Sequence, residues 1–406
     1  MSRWIDLEKK YYMPVTRRQP IVLVKGRGAR VWDEEGKEYL DFVAGWAVNS
    51  LGHCHPVVVE AVEKQVSTLV LASNQFYTLP QLELAQFLAE NSCLDRVFFQ
   101  NSGAEANEGA VKLARKYGKV HLGGAYKIIT ALNSFHGRTL TMVSATGQPH
   151  YQEPFTPLTP GFVHVPFNDV EAIKEATDGE TCAIMLEPVQ GEGGVIIPAS
   201  DYLQKVRQWC DEKGLLLILD EVQTGMGRLG TLFGYQHFNV EPDVMTLGKG
   251  LGGGIAIGAF LAKERCVALQ PSDHGTTFGG NPVACAAALA VSRYIVGKDI
   301  PSHVARLGEY LKGRLELLRA RYEIIREVRG LGLLLAVEFW ENISGELVSA
   351  CNSEGLLVNP VRPNAIRLMP PLTLTPEEVD EAVRRLDRAL GKVLKEEGQK
   401  AVPQPG

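Results

Sequence analysis

The chain has 406 residues, 45% of them hydrophobic and 22% charged, with a formal net charge of −5. That length predicts one large domain and a smaller one, and the mildly acidic balance gives no basis for a nucleic-acid or anionic-membrane partner. Seven scattered cysteines and no apolar run approaching a membrane span predict a reduced, cytoplasmic protein.

In chain order, 21–42 alternates apolar runs with Gly-centred or acidic turns, the pattern of an antiparallel meander. Two helices are predicted next, one after His55-Pro56 and one over PQLELAQFLAENS. His53, Cys54 and His55 invite a metal reading, but no further close-set ligands complete a site, and a loop before a helix explains the run. Residues 97–99 read as a buried strand, after which Ser102 can cap a helix, with Glu105 completing an S-x-x-E box. Gly103 and Ala104 leave the first-turn N–H groups of that helix open, a disposition that attracts phosphate.

Short apolar strands are then predicted at 127–132, 183–189, 215–219 and 244–247. Between the second and third lies the helix DYLQKVRQWCDEKG, with Gly214 at its exit, so the stretch reads as a βαβ unit. With 97–99, five strands end in NSG, NSFHGR, EPVQGEGG, DEVQTG and GKG. A sixth strand, 255–261, leads to a Gly-rich loop and a helix of small residues. From about 301 the alternation stops and a C-terminal α+β unit is predicted, closing with a helix opened by the T-P-E-E box at Thr375. The division expected is 1–50 as an N-terminal part of the small domain, 51–300 as the large domain, 301–395 as the C-terminal small domain, and 396–406 as a disordered tail.

Asp220 and Lys249 each close one of these runs, an acid and an amine delivered to strand ends, where open α/β sheets bind ligands. Lys249 lies between two glycines and its amine can hold a carbonyl as a Schiff base. A P-loop is excluded, because position 243 is Asp and no Ser or Thr follows Lys249; no Gly-rich run meets the dinucleotide fingerprint. Pyridoxal phosphate accounts for the strand ends together: an aldehyde for Lys249, a phosphate for the helix at Gly103, a ring nitrogen for Asp220. Phe135 can stack on one ring face, Val222 can cover the other, and Gln223 is placed for the ring hydroxyl.

YLDFVAGWAVNSLGHCHP, FFQNSGAEANE, SFHGRTL, EPVQGEGGV, LDEVQTGMGRLG, LGKGLGGG, HGTTFGGNP and RLMPPL occur in order. In them the sequence resembles, over nearly its whole length, the class III pyridoxal-phosphate aminotransferases of fold type I, and their acetylornithine branch most closely. The resemblance implies an α/β fold: a mostly parallel central sheet with helices on both faces, and a smaller α+β domain built from both termini. It implies Lys249 as Schiff-base lysine and proton shuttle, and Asp220 as partner of the ring nitrogen. Ser102, Gly103 and Ala104 would hold the phosphate, with Phe135, Glu221, Val222 and Gln223 around the ring. Thr277 would reach the phosphate of a neighbouring subunit's cofactor, so a homodimer with shared sites is implied. Arg138, with Thr276 beside it, resembles the anchor for the substrate carboxylate. Glu187 and Arg367 resemble a salt-bridged pair that opens to admit a second, unlike substrate. The activity implied is transfer of the amino group of N-acetylornithine to 2-oxoglutarate, in arginine biosynthesis. Succinyldiaminopimelate, ornithine and 4-aminobutyrate stand as alternative substrates, and a non-catalytic binding protein of the same fold as the alternative outside the class. Gly45 and Trp46, where ornithine enzymes carry a tyrosine, disfavour free ornithine.

Overall fold

The computed structural model of the chain describes residues 2–400, without the side chains of 396–400. Near the N-terminus, β1 (Leu23–Arg27), β2 (Arg30–Asp33) and β3 (Glu38–Asp41) form the expected antiparallel meander. The central sheet takes β4 (Arg96–Gln100), β5 (Lys127–Ala131), β6 (Phe162–Val165), β7 (Thr181–Leu186), β8 (Leu216–Asp220), β9 (Val244–Leu247) and β10 (Gly258–Ala262) in the order β4-β10-β9-β8-β7-β5-β6. β10 runs antiparallel to both its neighbours, β4 and β9, and the other pairings are parallel. Every residue of β7, β8 and β9 is buried, as continuous apolar runs covered on both faces require.

Since β4 and β9 are both antiparallel to β10, they share a direction. Gln100, Ala131, Leu186, Asp220 and Leu247 therefore end on one edge of the sheet, and the five polar turns read from the sequence emerge together. The helix Tyr202–Lys213 joins β7 to β8 and leaves through Gly214 at φ 68°. β6 was not anticipated: four residues flanked by prolines give too short an alternation to stand out. The strand read at 255–261 starts three residues later than expected and is the one reversed strand of this sheet.

The rest of the chain supplies β11 (Ile325–Leu331), β12 (Leu334–Phe339), β13 (Leu356–Leu357), β14 (Asn359–Arg362) and β15 (Ala365–Leu368). Four of these make a third sheet, β11-β12-β15-β14, while β13 leaves to pair in parallel with β3. Arg30 on β2 also reaches Glu381 on the last helix, Pro376–Lys400, at 2.7 Å. The chain's two ends thus share one sheet. That last helix opens on the full reciprocal cap between Thr375 and Glu378. Positions 401–406, most of the tail expected to be disordered, lie outside the described residues. Among the described residues no helix is long and apolar enough to cross a membrane.

Candidate active site

Asp220 is the last residue of β8 and only 3% exposed. Its Oδ2 accepts from Asn107 Nδ2 at 2.8 Å and is hydrogen-bonded to His136 Nδ1 at 2.7 Å. Its Oδ1 accepts from Val222 N–H at 3.1 Å and, at 3.4 Å, from the Thr246 hydroxyl. Burial lowers the His136 pKa, but the hydrogen bond and charge of Asp220 at Nδ1 outweigh it and the net shift is upward. Two donors thus fix Oδ2, while Oδ1, with one of its two contacts long, keeps capacity for a further donor. Neither His136 nor Asn107 was singled out from the sequence. The signal for Asn107 was there: an amide four residues after Gly103, on the face of the helix Gly103–His121 that carries Ala106, Ala110 and Val111.

The Glu221 side chain faces away from Asp220. On the opposite side of the backbone it accepts the N–H groups of Gly234 and Tyr235, the latter at 2.7 Å. Fully buried, its carboxyl is pushed up to about 7 by loss of solvent. The expectation of a cofactor contact is thus not met by this side chain, which holds the turn before 234–237.

Lys249 follows β9 after one residue and has φ 40°, a left-handed conformation costly for a side chain with a Cβ. Among the described residues no acceptor or acid pairs with its amine at hydrogen-bond or ion-pair distance. Burial is the main cause that lowers its pKa, helped by the Arg367 guanidinium and opposed by the charges of Glu192, Asp220 and Glu187. A lysine so placed reaches its neutral, nucleophilic form at lower pH than usual.

The helix Gly103–His121 opens at this same edge, with Ser102 exposed and Gly103 and Ala104 half-exposed. Ser102 Oγ accepts from Glu105 N–H at 3.2 Å. The reciprocal half of the cap is displaced by one residue, because Glu105 Oε2 takes the N–H of Asn101, not of Ser102. The Ser102 N–H is thereby left out of the box. A Cβ on Gly103 would lie 2.6 Å from Val222 Cγ1, and one on Gly248 would lie 3.1 Å from the Gly103 backbone. The helix start, the lysine turn and Val222 therefore approach one another only because both positions are glycine.

Phe135 is half-buried on the loop after β5, its backbone N–H donating to Glu187 Oε2 at 3.1 Å. Gln223 Oε1 accepts from Arg367 Nη1 at 3.2 Å, and its buried amide also helps to keep the Glu192 carboxyl charged. A Cβ on Gly191 would overlap Gln223 Oε1, at 1.4 Å, so this glycine makes the room for that side chain.

At the substrate end the structure corrects the expected ion pair. Arg367, on β15 and 0% exposed, lies 2.8 Å from Glu192 Oε1, a contact between charges whose angle falls short of a hydrogen bond. Glu187 instead accepts the N–H groups of Phe135 and, at 3.3 Å, Gly191, and serves the backbone of the two loops that flank the ring position. Both acids lie beyond the end of β7 with four residues between them, and only Glu192 reaches Arg367 across the sheet edge. Burial raises Glu187 to about 7. Burial opposes ionisation of Glu192 too, but Arg367 and Lys249 outweigh it and hold that carboxyl below its usual pKa. Glu192 sits in a loop gripped from β11 and β14: Arg329 donates to the Gly194 carbonyl at 2.8 Å and Arg362 to that of Gly193 at 2.7 Å.

Arg138 is exposed and lies over the Tyr151 ring, 3.7 Å from its centroid. Thr276 is engaged elsewhere. Its hydroxyl accepts from Gly279 N–H at 3.0 Å and Asn101 Nδ2 at 3.4 Å, contacts that hold the loop 274–281 within this chain. Thr277 is exposed on the same loop, next to a 60%-exposed Phe278. Trp46, 55% exposed, stands in a left-handed turn, 44–47, which packs on the lysine turn through Ser50, whose hydroxyl donates to the Gly250 carbonyl at 2.9 Å.

One edge thus carries a fixed acid, an unpaired amine, a helix start with open amides and a buried side-chain amide. That set matches the ring nitrogen, aldehyde, phosphate and hydroxyl of pyridoxal 5'-phosphate, and the residues fit the group. Known proteins agree. The family Aminotransferase class-III matches residues 11–390. The chain is 53% identical to the acetylornithine aminotransferase of Caldanaerobacter subterraneus over 96% of its length and 99% of the relative's. It is 51% identical to that of Methanocaldococcus jannaschii, over 97% and 99%. Among solved structures it is similar to the ornithine aminotransferase of Toxoplasma gondii, with a TM-score of 0.92 at 37% identity, covering 97% of this chain and 95% of that one. It is also similar to the acetylornithine aminotransferase of Elizabethkingia anophelis, with a TM-score of 0.86 at 36% identity, covering 96% and 98%. With its family matched from end to end and its sheet edge furnished for pyridoxal phosphate, the chain belongs to the class III aminotransferases.

Proposed function

We propose that the protein transfers the δ-amino group of N-acetyl-L-ornithine to 2-oxoglutarate, giving N-acetyl-L-glutamate 5-semialdehyde and L-glutamate, in the cytoplasm and as a homodimer. The observation that carries the reading is the Glu192–Arg367 contact at the mouth of the lysine site. An enzyme that must take an ω-amine in one half-reaction and an α-amino acid in the other needs a carboxylate-binding arginine that can be masked. The names of the relatives above support the same substrate, and the exposure of Thr277 supports a neighbouring subunit.

When bound, pyridoxal phosphate supplies an aldehyde to carry the amino group and a ring that stores the electron pair left on the substrate carbon. The residues do the rest. Asp220, aimed by His136 and Asn107, holds a proton at the ring nitrogen. Lys249 Nζ takes the proton from the carbon bearing the amino group and returns one to the acceptor, a task its lowered pKa favours. Phe135 and Val222 keep water from the ring faces, and the open amides at 102–104 bind the phosphate. Arg138 binds the α-carboxylate of acetylornithine; Arg367, once freed of Glu192, binds that of glutamate.

A donor panel with 2-oxoglutarate as acceptor tests this. Acetylornithine should exceed ornithine, succinyldiaminopimelate and 4-aminobutyrate in kcat/KM, and a higher value for any of the three would reassign the substrate. Sedimentation should give a dimer; a monomer with full activity would remove the shared-site role of Thr277.

A further inference from the structure

We propose that Tyr151 is the positioning residue for Arg138, orienting the guanidinium for a substrate carboxylate without occupying any of its donors. The inference rests on the reading of Arg138 as the carboxylate anchor. Arg138 is an exposed side chain, and among the described residues no carboxylate lies within ion-pair distance of it. A long flexible side chain in that state loses rotamer entropy whenever it is recruited to a ligand.

The structure supplies a restraint of another kind. The Arg138 guanidinium carbon stands 3.7 Å from the Tyr151 ring centroid and 5.6 Å from that of Phe135. The two rings meet edge to face, with centroids 5.8 Å apart and planes at 73°. Contact through the π face restrains the cation, while its N–H groups lie in the guanidinium plane and point outward. An acidic partner would hold the arginine as well but would consume the fork that must grip the substrate.

Tyr151 is itself held. It lies in the short helix Pro149–Gln152, which Gln148 ties to the Ser134 carbonyl at 2.9 Å and Gln152 to the Thr146 carbonyl at 2.8 Å. Both anchor points flank Phe135 and His136 in the fold, one preceding them in sequence and one accepting at His136 N–H through its hydroxyl. Tyr151 therefore aligns the substrate anchor with the loop that carries the ring-stacking residue.

The test uses glutarate, a five-carbon dicarboxylate with no amino group, titrated by calorimetry into the cofactor-loaded enzyme. Tyr151→Leu should raise its Kd about two- to fivefold, the worth of an exposed cation–π contact. Tyr151→Phe, which keeps the π face, should bind as the wild type does. In an Arg138→Met background the Leu substitution should add nothing. Spectrum and melting temperature are recorded for every variant, and Tyr151→Gln repeats the measurement should the Leu protein melt early. A Leu effect of full size without Arg138, or a Phe variant as weak as Leu, would overturn the proposal. Absence of glutarate binding to the wild type would overturn it together with the anchor reading, whereas a different winner in the donor panel would change the substrate and leave the Tyr151–Arg138 coupling standing.

Discussion

The two ends of the site are built on opposite plans. At the ring-nitrogen end, Asp220 is buried at a strand terminus and two side chains and a backbone N–H fix its carboxylate. At the proposed substrate end, Arg138 is exposed against a ring face, and Arg367 meets the Glu192 carboxylate. The first end does the same work in both half-reactions and can be rigid. In the proposed reaction the second accepts two unlike molecules, and its charges rest on a ring face and on a single ion pair. Rigidity here comes from hydrogen-bonded burial within one sheet, adaptability from contacts between sheets and loops.

The largest effect expected breaks the fixed end. Lys249→Ala should lower transamination by about 10⁴-fold or more and remove the visible absorbance of the bound cofactor; retained turnover would refute the assignment. Asp220→Asn keeps the shape but loses the charge at the ring nitrogen, and kcat should fall on the order of 10²-fold, measured with saturating cofactor.

The exchangeable end is sharpened by Glu192→Gln. Freeing Arg367 should move the ratio of kcat/KM for glutamate over acetylornithine upward by about tenfold, near 1.4 kcal/mol. Glu187→Gln should leave that ratio near wild type, because Glu187 holds backbone amides and not the arginine. An equal shift in both variants would restore Glu187 to the switch.

A further effect, on stability and not on turnover, concerns pH. Glu187 rises from an ordinary 4.5 to about 7 in the folded protein. The folded state therefore binds the extra proton, and the stability this gives is lost as pH climbs from about 4.5 through 7. The loss is up to about 3 kcal/mol. The melting temperature should fall across that window and fall less in Glu187→Gln; identical slopes would show that Glu187 is not the group responsible.

What could be read in the sequence follows the range of each interaction. Asp220 and Lys249 were legible because a run of buried apolar residues announces where a strand stops, and a polar residue at the stop must face the edge. Glu221 was misjudged by one position, since a strand alternates its side chains and the next residue points away. Glu192 was missed beside Glu187 because both are acids after one strand, and the arginine that distinguishes them lies 175 residues on. Tyr151 carried no signal at all. Its role depends on a turn folding back on the loop after β5, which no local pattern encodes.

The grip of Arg329 and Arg362 on the loop at 193–194 has a consequence for how the protein is made. Their strands, like β13, which completes the N-terminal sheet, lie in the last hundred residues of the chain. On the ribosome β4 to β10 are synthesised before Arg329, Arg362 and Arg367, so Glu192 leaves the exit tunnel before its arginine and its loop before its clamp. The contacts that set Arg367 and the loop of Glu192 thus depend on the part of the chain that is made last.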